Sequence, residues 1–220
     1  MAITGEKEGE PMKVGVALAD VIAGKDAAIA ILARARELSE GPLEPTERLV
    51  EISLIRSARA ALVNVAQNVL VSGKDAKRWG NAHPNLVPYQ LFDASDRPFV
   101  IAVGSDSQWT ACARALDLDE LANDATLRAN AGRVENRERI VGEIQRKVIE
   151  KPAGHWVERL ASMGVPCGIV QSVAEALVGA RASELTGIPP SVGGTVRLPP
   201  PTLDEHGAAI RTLGWRAFLR

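Results

Sequence analysis

Apolar residues recur at helical spacing along much of this chain, and short apolar runs lie between the helical segments. The helical stripes run over residues 27–38, 58–69 and 134–149. The short runs, each of strand length, are residues 12–19, 49–54, 89–92, 99–103 and 165–170. Helical stripes that alternate with strand-length runs are typical of a mixed architecture, so the sequence predicts an α/β fold.

The clearest local prediction is a hairpin that leads into a capped helix. The runs 89–92 and 99–103 flank a turn-rich segment, which indicates two strands joined by a loop. Ser105 or Asp106 can then cap a helix that extends to Leu116. Two further short helices are predicted near residues 172–178 and 208–213, and Pro152 is well placed in the first turn of another.

Composition excludes several classes of function. Lys and Arg total 26 against 27 Asp and Glu, so the net charge of −1 gives no electrostatic support for a nucleic-acid partner. The mixed charges between Arg128 and Lys147 indicate a solvated helix face. Two cysteines and three histidines, all far apart, predict neither a disulfide framework nor a metal site. No stretch reaches the roughly 18 apolar residues of a membrane span, and no signal peptide is visible, so we expect a cytoplasmic protein without a membrane partner.

Asp20 is the carboxylate whose surroundings are most unusual. It lies in the small and apolar segment 14–24, at the expected start of a helix. Helix N-terminal amides favour an anion, and a poorly hydrated carboxylate can attack an activated acyl group. The alternative is that Asp20 only caps the helix.

Several sequence segments, in order along the chain, resemble the family III CoA-transferases. They are ITGE (3–6), PMKVGVALAD (11–20), AIAILA (28–33), GNAHPNLVPYQ (80–90), GVPCG (164–168), PPP (199–201) and EH (205–206). Each segment is modest alone, but their order covers nearly the whole chain. The resemblance implies an enzyme that moves CoA from an acyl-CoA to a small carboxylic acid, with CoA as a substrate and no other cofactor.

The resemblance also implies which residues act. The aspartate that matches Asp20 attacks the thioester, and an aspartyl-CoA thioester follows. The segment from Gly80 to Asn85 matches a loop that closes over the site, so Gly80, Asn81 and His83 are candidate substrate-binding residues. A plain connecting turn remains the alternative for Gly80 and Asn81, and a packing role is the alternative for His83.

The family fold implies a division of the chain into parts of two domains. Residues 1–79 are expected to form part of the large domain, residues 80–165 a small α+β domain, and residues 166–220 a return to the large domain. Because family members are longer and dimeric, we expect this chain to associate with itself or with a separately encoded N-terminal half. Two other functions stay open: a non-catalytic remnant or binding subunit, and an α-methylacyl-CoA racemase-like isomerase.

Overall fold

Helices make up most of the regular structure in a computed structural model that describes residues 1–181, 186–195, 201–214 and 216. The segment at Pro199 and Pro200 that resembles the family lies outside these residues. The helices are α1 (Leu18–Glu40), α2 (Leu54–Ala60), α3 (Val63–Ser72), α4 (Asp106–Ala115), α5 (Asp119–Asn123), α6 (Asn130–Glu135), α7 (Arg137–Val148), α8 (Ala153–Ser162), α9 (Val173–Ala176) and α10 (Gly207–Leu213). The strands are β1 (Tyr89–Asp93), β2 (Pro98–Ala102) and β3 (Cys167–Ile169).

The three strands form one antiparallel sheet in the order β1-β2-β3. In the β1-β2 hairpin Phe92 lies opposite Phe99, and on its other side Phe99 lies opposite Ile169 in β3. The hairpin is therefore confirmed, with a loop that holds the turn-forming residues between its strands. The combination of this sheet with the surrounding helices confirms the α/β expectation.

The hydrophobic core lies around this sheet. Helix α7 contacts β1, and α8 contacts β2 and β3. In α7 the buried residues are Ile140, Ile144 and Val148, which recur every four residues and so share one face of the helix. Trp109 and Trp156 are each only 1% exposed and are among the largest side chains of this core. Apart from Ala23, the buried apolar residues of the described chain fall between Val87 and Val165.

Polar capping determines where several helices begin. The Ser105 hydroxyl accepts a hydrogen bond from the Gln108 amide at the start of α4, as the sequence predicts. Ser172 and Glu175 form a reciprocal capping box at the start of α9. Pro152 is the residue immediately before α8, one position earlier than the sequence suggests.

Two strand predictions are wrong. Residues 12–17 form no strand and lead directly into α1, and residues 49–53 form no strand before α2. A strand needs a partner for its backbone hydrogen bonds, and the three-stranded sheet of the described chain lies in other residues. Met12, Val14 and Val16 are exposed instead of buried.

The helical stripe predicted over residues 58–69 is divided into α2 and α3. The break falls at Ala61 and Leu62, and Val63 has a φ of 44°, a conformation that β-branched residues rarely adopt. The apolar spacing continues across the break, so periodicity alone predicts one helix.

The chain divides into two compact units, Met1–Ile169 and Val170–Arg220. The first contains the sheet, the core and helices α1 to α8, and the second contains α9 and α10. In the second unit the Thr186 hydroxyl donates a hydrogen bond of 2.6 Å to the carbonyl of Gly194. The family-based boundaries after residues 79 and 165 stay a prediction. Among the helices of the described residues, none has the length and apolar character needed to cross a bilayer.

Candidate functional site

Asp20 lies in the first turn of α1, as its third residue. The predicted helix start is therefore correct to within a few residues. Ala17 occupies the N-cap position, so Asp20 is not the N-cap residue of this helix. The amides of a first helical turn stabilise a negative charge, and the Asp20 carboxylate is placed to benefit from them.

The apolar neighbours of Asp20 do not bury it. Val16 is 65% exposed, Val21 is 51% exposed, and Asp20 is itself exposed. The expected poorly hydrated setting is thus wrong for the described chain, because no element packs over this end of α1. Within the described residues the Asp20 carboxylate has no hydrogen bond or ion pair, so it is accessible and uncommitted.

The body of α1 is fixed by a contact six residues after Asp20. The Ser57 hydroxyl, on the 4% exposed Ser57 of α2, donates a hydrogen bond of 2.6 Å to Asp26 Oδ2. Ala23 is buried at the same side of the helix. These contacts hold the helix that presents Asp20, although they do not touch Asp20 itself.

Gly80 and Asn81 lie at the tip of a tight turn. The Ala82 amide donates a hydrogen bond of 3.0 Å to the carbonyl of Trp79, which closes the turn. Gly80 has a φ of 58°, a left-handed conformation that glycine adopts without steric cost. Among the described residues the amides of Gly80 and Asn81 have no acceptor.

His83 follows this turn, and backbone amides hold its ring. Nδ1 accepts hydrogen bonds from the amides of Asn85 at 3.0 Å and Leu86 at 3.1 Å. The ring also stacks on Tyr89 with centroids 5.2 Å apart. Burial lowers the pKa of His83, and the nearby Arg137 charge lowers it further. The neutral ring therefore carries its proton on Nε2, and the contacts of Nδ1 fit the packing alternative.

A row of side chains on α6 and α7 anchors the segment that contains His83. Asn130 donates a hydrogen bond of 2.7 Å to the carbonyl of Asn85, and Arg133 donates one of 2.8 Å to the carbonyl of Val87. Arg137 Nη2 donates to the carbonyl of His83 at 2.9 Å. Asn130 and Arg133 belong to α6 and Arg137 is the first residue of α7, so these contacts come from two consecutive helices.

The role of these anchoring residues is not predicted from the sequence. The charges between Arg128 and Lys147 indicate a solvated face, yet Arg133 is only 1% exposed. Its guanidinium also donates to the carbonyls of Leu127 and Arg128 and to the Asp106 carboxylate. The spacing of Asn130, Arg133 and Arg137 was the available signal, but spacing alone does not distinguish a buried polar row from an exposed one.

The structure brings the loop candidates together but does not join them to Asp20. Gly80, Asn81 and His83 lie in one loop, while no hydrogen bond or ion pair of the described residues connects that loop with Asp20. Arg78, two residues before the loop glycine, donates hydrogen bonds to the N-terminal segment, to the carbonyls of Glu6 at 3.2 Å and Gly9 at 2.6 Å.

An open cleft of about 1140 Å³ borders the loop. Its wall includes Gly80, the end of α3 and the N-terminal segment, with the charged residues Lys7 and Lys77 among them. The described part of the chain holds no group of three or more His, Cys, Asp or Glu that is arranged to bind a metal ion.

Comparison with known proteins identifies a single family. The sequence model of CoA-transferase family III matches residues 1–206. Succinyl-CoA:glutarate CoA-transferase of Mus musculus is 35% identical over 79% of this chain and 39% of its own length. Acetyl-CoA:oxalate CoA-transferase of Acetobacter aceti is 30% identical over 96% of this chain and 58% of its own length. The chain thus spans about two fifths to three fifths of these curated relatives.

Solved structures agree with the sequence comparison. A CaiB/BaiF family protein from Brucella suis matches with a TM-score of 0.69 and 34% identity, over 96% of this chain and 59% of that one. A hypothetical protein from Mycobacterium tuberculosis matches with a TM-score of 0.70 at 19% identity, over 93% of this chain and 57% of that one, which supports the fold alone.

Proposed function

This chain belongs to CoA-transferase family III, and on that premise we propose that it transfers CoA from an acyl-CoA to a carboxylic acid, with Asp20 as the covalent nucleophile. The Asp20 carboxylate attacks the thioester carbonyl, the C–S bond breaks, and an acyl–aspartyl anhydride and CoA thiolate form. The thiolate then attacks the aspartyl carbonyl, which releases the donor acid and leaves an aspartyl-CoA thioester. The acceptor carboxylate reverses these two steps, so that CoA leaves on the acceptor and Asp20 is regenerated.

The observation that supports this proposal most directly is the state of the Asp20 carboxylate. It is exposed, it has no partner among the described residues, and it lies in the first turn of a helix whose body is fixed. A nucleophile must be free to reach its electrophile, and a carboxylate committed to a salt bridge is not. Covalent catalysis through such a group divides one difficult exchange into several acyl transfers.

The free amides of the loop support the same reaction. Each acyl transfer passes through a tetrahedral intermediate whose oxyanion needs N–H donors, and loss of one donor typically costs about 3 kcal/mol of barrier. The amides of Gly80 and Asn81 have no acceptor in the described chain. We propose that they serve this role, and that the cleft beside Gly80 provides room for the substrate.

The names of the relatives suggest the class of acceptor. They refer to glutarate and oxalate, and for the Agrobacterium fabrum protein to succinate and glutarate. We therefore propose a short dicarboxylic acid as the acceptor and its CoA ester as the product. The cytoplasmic location and the association with a second copy or a separately encoded N-terminal half belong to the same proposal.

Chemical trapping tests the nucleophile. The chain is incubated with succinyl-CoA, treated with hydroxylamine and digested, and the modified residue is identified by mass spectrometry. We expect an aspartyl hydroxamate at Asp20. Asp20→Ala is expected to abolish CoA transfer to oxalate or glutarate, and Asp20→Asn to be nearly as damaging because an amide is a poor nucleophile.

Asp26→Asn is the matched control, because Asp26 lies on the same helix but bonds to Ser57. It is expected to keep the adduct at Asp20. Because the chain spans only part of its relatives, the same assay is run on the protein purified from its natural source. Undiminished transfer in Asp20→Ala, or no adduct in either preparation, would overturn the proposal. A non-catalytic remnant would then bind no succinyl-CoA, whereas an isomerase would exchange the α-hydrogen without CoA transfer.

A further inference from the structure

The guanidinium of Arg137 contacts both ends of the loop that contains Gly80 and Asn81. At one end its Cζ lies 5.1 Å from the centre of the Trp79 ring. At the other end Nη2 donates hydrogen bonds to the carbonyls of His83 at 2.9 Å and Pro84 at 3.0 Å. One side chain thus joins the residue before the turn to the two residues after it.

In the described part of the chain, the contacts with the loop are what explain the position of Arg137. No carboxylate pairs with it in the described part of the chain, and its Nη1 atom is buried there without a hydrogen-bond partner. Burial without an ionic partner lowers the pKa of Arg137, which indicates that the position costs free energy. The contacts that offset this cost are the ring face and the two loop carbonyls.

We propose that Arg137 is a positioning residue that fixes both stems of the loop 79–84, so that the amides of Gly80 and Asn81 are presented to the reacting acyl group. This inference rests on the proposed CoA-transferase function. Arg137 does not itself touch the reacting atoms in this proposal. It acts by limiting the motion of the turn that carries the two free amides.

Neighbouring contacts show why Arg137 is the side chain that matters for the turn. Asn130 and Arg133, on the preceding helix α6, hold the later residues Asn85 and Val87. Arg137 also reaches back to Trp79 and thus spans the turn. A planar guanidinium can stack on the ring and donate to carbonyls at its edge at the same time, which a lysine ammonium cannot do.

Hydrogen exchange and kinetics on Arg137→Lys and Arg137→Met test the inference. Four amides around the turn are hydrogen-bonded and report on its opening: those of Ala82, His83, Asn85 and Leu86. In both variants we expect these amides to exchange at least tenfold faster, with the amides of β1 and β2 unchanged. For CoA transfer from succinyl-CoA we expect kcat to fall at least tenfold while KM changes less than threefold.

Arg139→Lys is the matched control, because Arg139 lies on the same helix and pairs at the surface with Asp124 at 2.8 Å. It is expected to leave both loop exchange and kcat unchanged. Trp79→Leu removes the other arm of the contact and is expected to speed exchange as Arg137→Lys does. If Arg137→Met lowers the melting temperature strongly, Arg137→Lys and Trp79→Leu decide the matter.

The outcomes separate this inference from the proposed function. Wild-type loop exchange in Arg137→Lys would overturn the inference, and so would a loss of kcat without faster exchange, because the residue would then act directly. If the wild-type protein forms no adduct at Asp20, the proposed function fails. The exchange measurements then decide alone whether Arg137 fixes the loop.

Discussion

The imidazole of His83 is the titratable group most closely tied to the candidate loop. Its Nδ1 accepts two backbone amides, and protonation of Nδ1 would remove both hydrogen bonds. Burial and the Arg137 charge lower the pKa of His83 below the ordinary value of 6.5. The unfolded chain therefore binds this proton more readily than the folded one, and stability rises with pH in that range.

We expect the His83 contribution to loop stability to be fully present above pH 6.5 and to decrease progressively below it. In a proton NMR titration the Cε1 hydrogen of His83, assigned by comparison with His83→Gln, should show a midpoint below 6.5. The exchange of the Asn85 and Leu86 amides should accelerate over the same pH range. A midpoint above 6.5 would show that the ring is not held as an acceptor.

Single residues also show what sequence reasoning can and cannot reach. The position of Asp20 near a helix start is predictable to within a few residues, because helical spacing begins soon after it. Its exposure is not, because burial depends on what packs over the apolar residues around it. The buried position of Arg133 is likewise hidden, since its partners include backbone carbonyls, one of them at the distant residue Val87, and a carbonyl acceptor has no sequence signature.

At the scale of elements, Arg133 connects α6 to two other backbone segments, at Val87 and at Leu127–Arg128, and to α4. It is almost fully buried, and it donates to three carbonyls and to Asp106. We expect Arg133→Met to lower the free energy of unfolding by roughly 3–5 kcal/mol, because buried acceptors lose their donor. Urea denaturation followed by tryptophan fluorescence measures this loss.

Asp106→Asn is the comparison variant for that measurement. The Asp106 side chain is 61% exposed, so its ion pair with Arg133 is screened by water. We expect a loss below about 1 kcal/mol. A larger loss for Asp106→Asn than for Arg133→Met would show that the ion pair, and not the carbonyl contacts, stabilises this junction.

The elements with local signals are those that the sequence predicts well. The hairpin, the Ser105 cap and the short helix that begins after Ser172 depend on residues a few positions apart. Among the wrong predictions are the two strands, residues 12–19 and 49–54, whose apolar runs have no pairing partner in the sheet. Strand formation depends on a distant partner, and a single segment does not encode it.

At the scale of the whole molecule, the buried core is concentrated in one part of the chain. Helix α7 buries three apolar residues, whereas α3 buries none and α1 buries only Ala23. Local stability follows burial, so protection should follow the same division. In a dilute solution of the protein we expect the amide hydrogens of α7 and the β1-β2 hairpin to exchange at least a hundredfold more slowly than those of α3. Hydrogen–deuterium exchange, followed by proteolysis and mass spectrometry, measures this difference.

A dilution series tests what covers α1 and α3. Leu70 is 79% exposed and Ile29 is 67% exposed, so a second chain that packs there would protect them. Protection of α3 that disappears on dilution would indicate association with another copy. Protection equal to that of α7 at every concentration would contradict the division of the core described above.

The anchoring of the loop stems has a practical consequence for engineering. Positions 81 and 82 can be randomised in a library while Gly80 keeps its left-handed conformation. Arg137 keeps its contacts with the Trp79 ring and the His83 carbonyl in such variants. Each library member would then display new chemistry on the same scaffold. If the proposed function holds, such a library would allow acceptor preference to be selected while the residues that hold the loop stay unchanged.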